Sequence, residues 1–169
     1  MTNLLYVPNP LLRQKAEKIK FVGSDEVNIA KKMMDIMLKA PGVGLAANQI
    51  GILKQIVTIF FIEKDSKKEI QYTLYNPKII SYSSEIISME EGCLSLPEQF
   101  SEIERPKKIS LEYLDEKNNL IKKDADGIEA RILQHEIDHL SGKLFVDYLS
   151  SLKRNIMIKK VQKYLKNKA

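Results

Sequence analysis

The sequence predicts an α+β fold, with mostly antiparallel β-sheets around a central helix and a further helix at the C-terminus. Two observations carry this. Apolar residues recur at helical spacing in three separated stretches, near 24–39, 128–140 and 151–166. Between the first two, β-branched and aromatic residues dominate a run of short segments bounded by turn residues.

The first helix is expected over 24–39. Ser24 is placed to cap it, and Asp25 and Glu26 suit the positive end of its dipole. Val27, Ala30, Met33, Met34, Met37 and Leu38 form its apolar face, and Pro41-Gly42 ends it. Residues 55–62, QIVTIFFI, read as a strand buried on both faces. Segments 71–76 and 78–82 flank Pro77, and 85–90 leads to the single cysteine. Ile109, Leu111 and Tyr113 alternate with Ser110 and Glu112, as on a half-buried strand, and Asn118-Asn119 turns the chain toward Leu120-Ile121. Beyond Asp126-Gly127 the period becomes helical through Ile128, Ile132, Leu133, Ile137 and Leu140, with Gly142 as the stop. In the last helix, 151–166, Leu152, Ile156, Val161 and Leu165 face one way and lysines the other.

The 169 residues fit one domain spanning 1–169, and no repeat, low-complexity tract or Gly/Ser linker divides them. Hydrophobic content of 44% and charged content of 29% argue against disorder. No apolar run approaches the roughly 18 residues of a membrane span. The N-terminus has no basic region and meets Pro8 and Pro10 early, unlike a signal peptide, so a cytoplasmic protein is expected. The lone Cys93 excludes an intramolecular disulfide and leaves a buried apolar residue, a nucleophile or a metal ligand. The net charge of +5 is compatible with a nucleic-acid neighbour without establishing one.

The chemistry concentrates in 134–142, QHEIDHLSG, which holds both histidines of the chain. At i and i+4 of a helix, His135 and His139 project from one face one turn apart, as two ligands of one ion must. Glu136 follows the first His, where its carboxylate reaches a metal-bound water. Ile132 shares the stripe with both histidines, which places them in the interior, where buried imidazoles need partners. A catalytic site wants three protein ligands and one open position. No third His exists, Asp147 is a weak candidate, and Cys93 in 90–97, EEGCLSLP, is a better one.

Here the chain resembles the peptide deformylases. GVGLAANQ (42–49), EGCLS (91–95) and QHEIDH (134–139) resemble that family's three motifs in order, and the spacing, length and N-terminal PNPLLRQKAEKI are also similar. The family usually has Pro where this chain has Asn48, a change expected to loosen the loop without removing Gln49. The resemblance implies removal of the formyl group from the N-terminal formyl-methionine of new polypeptides, with release of formate. It implies one divalent ion per chain held by Cys93, His135 and His139, with iron(II) first and zinc, nickel or cobalt as alternatives. It also implies that the Gln49 side chain and the Leu94 backbone N–H stabilise the oxyanion.

In that chemistry the metal lowers the pKa of bound water toward about 7. Glu136 takes a proton from the water and later gives it to the amine. Gly44 lets backbone approach the substrate, and Val43 and Ile132 are candidates to line an apolar pocket for Met. Asp138, Arg105 and Glu91 are candidates to hydrogen-bond the ligands. Arg131, one turn before His135, either packs its stem and extends its head to solvent, the favoured expectation, or pairs with an acid near the site. The basic helix 151–166 is expected to pack its apolar stripe, and the family's work near the ribosome exit suggests docking on ribosomal RNA. Two other readings share these motifs: a metal-dependent peptidase cutting internal bonds, and a metal-stapled RNA-binding module without activity. Formate release separates both from a deformylase.

Overall fold

A computed structural model describes residues 4–169; residues 1–3, part of the N-terminal stretch read against a signal peptide, lie outside it. The described chain runs α1 (Ser24–Lys39), β1 (Gly44–Ala46), β2 (Ile56–Ile62), β3 (Glu69–Tyr82), β4 (Ile86–Cys93), β5 (Leu96–Pro106), β6 (Lys108–Leu114), β7 (Leu120–Asp126), α2 (Gly127–Leu140) and α3 (Ser151–Lys168), with short 3-10 turns between some of them. The strands form a five-stranded sheet in the order β1-β2-β3-β6-β7 and a two-stranded ribbon, β4-β5. Every ladder is antiparallel, as expected.

α1 starts one residue earlier than a Ser24 cap requires. Extended Gly23 occupies the cap position, and Glu26 Oε2 accepts its N–H at 3.0 Å. Ile36 is buried on its inner face, and Leu38 is exposed. The two segments around Pro77 fuse into the single strand β3. Pro77 cannot donate to a ladder, and it falls where the β3–β6 register shifts between Tyr75 and Lys78, beside Asn76 at φ 52°. The Asn76 side chain clasps Ile19 there, accepting from its N–H at 2.8 Å and donating to its carbonyl at 2.7 Å.

β5 was not legible as a strand, and β7 extends past Leu120-Ile121 to Asp126. In α3 the inner face differs from the expected stripe. Val161 is fully buried with Met157, Ile158 and Leu165 packed beside it, whereas Leu152 and Ile156 are 69% and 45% exposed.

Three apolar clusters hold these elements together. Ile132, Leu133 and Leu140 of α2 pack with Val57, Ile59, Leu74 and Leu111 of the sheet. Met33 and Met37 of α1 pack with Leu45, Ile56 and Tyr75. Leu96 and Ile103 of β5 pack with Leu12, Phe145 and Val161. α2 is therefore enclosed on most sides. Arg131, Gln134, His135, Glu136 and His139 are all buried, so each needs a partner inside the protein. No helix among the described residues is long and apolar enough to cross a membrane.

Candidate metal centre and cleft

Three elements deliver the site. α2 carries His135, Glu136 and His139; β4 ends at Cys93; and β1 with the 3-10 turn Ala47–Ile50 brings Gly44 and Gln49. Cys93 Sγ lies 3.4 Å from His139 Nε2, which lies 3.3 Å from His135 Nε2. The ligand atoms of all three residues fall within 4.8 Å of one another. In a tetrahedral site two imidazole nitrogens sit roughly 3.3 Å apart, and a thiolate sulfur and a nitrogen roughly 3.6 Å apart, given the usual metal–ligand lengths. The observed separations fit one small divalent ion, and three protein donors leave a fourth position. Asp147 is elsewhere, accepting from Arg13 Nη1 at 2.5 Å and from the Leu144 N–H at 2.9 Å.

The environment prepares these groups. His135 Nδ1 faces Glu91 Oε1 at 2.8 Å, so an Nδ1–H donated there leaves Nε2 for the ion. Burial would raise the Glu91 carboxyl, but hydrogen bonds from His135 and Arg105, with the Arg105 charge, hold it down at about 2. Arg105 pairs with Glu91 through Nε at 2.6 Å and Nη2 at 3.0 Å, and reaches Asp138 through Nη1 at 2.8 Å. The three candidates Glu91, Arg105 and Asp138 thus form one network behind His135. Tyr148 completes it, donating to Asp138 Oδ2 at 2.8 Å; nothing in the sequence pattern singled it out.

Arg131 departs from the favoured expectation and takes the other course, pairing with an acid. It is 4% exposed, and its head turns inward to Glu91 Oε2 at 2.8 Å and to the carbonyls of Ile103 and Ile87, each at 2.7 Å. A carboxylate and two main-chain oxygens inside the protein outweigh the hydration that draws surface arginines outward.

Glu136 is buried at 4% exposure, and its Oε2 has no partner among the described residues. Burial is the main reason its carboxyl rises to about 7. It packs against Gly44, where an added Cβ would lie 2.7 Å from Glu136 Cγ. Gln49 is fixed at both ends of its amide. Oε1 accepts from the Ala46 N–H at 2.9 Å, while Nε2 donates to Ser95 Oγ at 3.1 Å and lies 3.5 Å from Cys93 Sγ. Asn48 is buried; its Nδ2 donates to the Gln14 carbonyl at 2.7 Å, while its Oδ1 has no partner among the described residues.

A cleft of about 390 Å³ opens over these groups. Val43, Gly44, Gln49, Leu94, His135 and Glu136 contribute to its lining, with the exposed ring of Phe100 at its edge. Ile132, expected in its wall, is absent from the lining; it lies at 4% exposure in the core between α2 and the sheet.

Residues 1–155 match the polypeptide deformylase family. The chain belongs to that family. A peptide deformylase of Pelagibacter ubique (strain HTCC1062) is 46% identical over 168 residues, covering 98% of this chain and 96% of the relative. One from Rhizobium meliloti (strain 1021) is 39% identical, with 98% and 94% covered. The crystal structure of peptide deformylase from Ehrlichia chaffeensis matches with a TM-score of 0.93 at 36% identity, covering 98% of this chain and 97% of that one. A structure of the Ehrlichia chaffeensis deformylase in complex with actinonin matches with a TM-score of 0.90 at 38% identity, with 95% of each chain covered. Peptide deformylases are metal-dependent hydrolases that remove the N-terminal formyl group from nascent peptides, and this chain is one of them.

Proposed function

We propose that the cleft binds formyl-methionine at the N-terminus of a nascent chain and that Glu136, Gln49 and Leu94 carry out the hydrolysis. The observation that carries this is Glu136 itself: a buried carboxyl with a free oxygen and a pKa of about 7, beside a Cys-His-His donor set. Such a group holds or releases a proton at neutral pH, as a general acid and base must.

Cys93, His135 and His139 hold one divalent ion, iron(II) by family resemblance, with zinc, nickel or cobalt as alternatives. Bound there, such an ion would supply Lewis acidity beside Glu136. Glu136 takes a proton from the attacking water as its oxygen bonds to the formyl carbon. The Gln49 Nε2–H and the Leu94 N–H donate to the carbonyl oxygen as it gains negative charge. Glu136 then delivers its proton to the amine nitrogen, the C–N bond breaks, and formate and a free α-amine result. Val43 and Gly44 line the substrate's path, the first with apolar surface and the second by letting its backbone come close.

The remaining parts of the reading follow from the same assignment. Residues 1–169 act as one catalytic domain in the cytoplasm. The lysine-rich face of α3 docks on ribosomal RNA near emerging chains, with α3's charge as its support.

Formate release from a formyl-Met tripeptide tests the assignment, using protein prepared without oxygen and loaded with iron(II) or nickel. Turnover should fall by about two to four orders of magnitude in Glu136→Ala with metal content unchanged. A folded, metal-loaded wild type that releases no formate would sink the assignment, and cleavage of internal peptide bonds instead would favour a peptidase.

A further inference from the structure

The metal set is divided between two elements. His135 and His139 belong to α2, while Cys93 and the neighbouring Leu94 lie at the turn of the β4–β5 ribbon. Their spacing depends on how the ribbon sits on the helix. Arg131 spans that joint from the helix side. Its three acceptors are Glu91 and the carbonyl of Ile87 on β4, and the carbonyl of Ile103 on β5. One guanidinium therefore grips the main chain of both strands.

The same guanidinium completes the shell of the carboxylate that orients His135. Glu91 Oε1 takes the His135 Nδ1–H and Arg105 Nη2, and Oε2 takes Arg105 Nε and Arg131 Nη1. Four donors on two oxygens leave the carboxylate no freedom to rotate. Arg105 of β5 pairs with Glu91 inside the ribbon and reaches Asp138 of α2 through Nη1 at 2.8 Å; Arg131 adds a second crossing from the helix side, and it alone of the two binds the main chain of both strands. Lys lacks the planar fork that reaches three acceptors at once.

Resting on the assignment of Cys93, His135 and His139 as ligands, we infer that Arg131 is a positioning residue for the metal centre. It clamps the Cys93-bearing ribbon to the histidine-bearing helix and locks Glu91 against His135. Arg131 lines no part of the cleft, so its loss acts on the ligands rather than on substrate binding.

The test compares wild type with Arg131→Met and Arg131→Lys, each loaded with cobalt(II). Its readouts are the ligand-field and thiolate charge-transfer bands, the rate of cobalt loss to a chelator, kcat and KM for a formyl-Met tripeptide, and the thermal midpoint. The clamp predicts shifted bands and cobalt loss faster by about 10- to 100-fold in both variants. It also predicts kcat down about tenfold or more with KM within about twofold, as expected for an orienting partner. Arg131→Lys keeps the charge and so guards against simple unfolding of the Met variant. Either variant, folded, with wild-type bands and wild-type cobalt loss overturns the inference, even if its thermal midpoint falls, because a purely structural ion pair would behave that way. A wild type that takes up no cobalt overturns the ligand set and the clamp with it. Normal cobalt uptake without formate release removes the assigned chemistry and leaves the clamp to be judged by the bands and the chelator rate.

Discussion

Glu136 and Gly44 are a matched pair, since the space a side chain would fill at position 44 is taken by the Glu136 carboxylate. Gly44→Ala must push that carboxylate aside or shift β1. The expected outcome is a folded protein whose kcat falls about 10²-fold, the scale of a catalytic group displaced by about 1 Å. Steady-state kinetics with circular dichroism checks it, and an unchanged kcat would show that the carboxylate has room to spare. Gln49→Leu removes a donor that two anchors aim toward Cys93. Its kcat should fall by about 10²- to 10³-fold with little change in KM, the cost of one oxyanion donor. The grouping of Cys93, His135 and His139 around Glu136 was legible because few residue types suit such a centre and the helix fixes the spacing of three of the four. Arg131 was not. An arginine on an amphipathic helix ordinarily reaches water, and its acceptors lie 28, 40 and 44 positions away in the chain.

Among elements, those with a strong period were readable and those held by pairing were not. α1, β2, β6 and α2 show their apolar rhythm in the residues themselves. β5 begins with Leu96-Pro97, ends in Pro106 and carries Glu98, Glu102 and Glu104, so its strand character comes from the ladder with β4. The 3-10 turn Phe145–Tyr148 is secured by Asp147, which accepts from the Leu144 N–H and from Arg13, tying the C-terminal region to the N-terminal turn. Burial raises the Asp147 carboxyl, but the Arg13 hydrogen bond and the Leu144 N–H bring it below its ordinary value. A depressed folded pKa stabilises above the ordinary carboxylate range, near pH 4, and that stability is lost as pH falls through the folded value. Asp147→Asn should therefore cost about 1 kcal/mol or less at pH 7, since Arg13 is partly exposed and screened. The gap from wild type should narrow when the pH is taken from 7 into acid, below the ordinary carboxylate range. Urea unfolding at both pH values measures it; a gap that persists in acid would assign the loss to altered packing.

Across the whole molecule, the β4–β5 ribbon rests on α3. Val161 is fully buried in the cluster that includes Leu96 and Ile103 of β5, the strand that returns from Cys93. The solvent side and flank of α3 carry exposed Lys153, Lys159, Lys160 and Lys163, with no acidic residue anywhere in the helix. The packing of the inner face and the charge of the exposed lysines can therefore be altered separately. Val161→Asp buries an unpaired carboxylate and should lower stability by about 3 kcal/mol or more, with cobalt lost faster because β5 loses its backing. Changing the four lysines to Gln touches no core contact. It should leave the thermal midpoint within about 2 °C and turnover of a short neutral formyl-Met peptide unchanged, as surface substitutions usually do. It should weaken co-sedimentation with ribosomes, and more so at low salt, where the phosphate attraction it removes is largest. Equal ribosome binding by wild type and the four-lysine variant at low salt would leave α3 as a support for the ribbon alone.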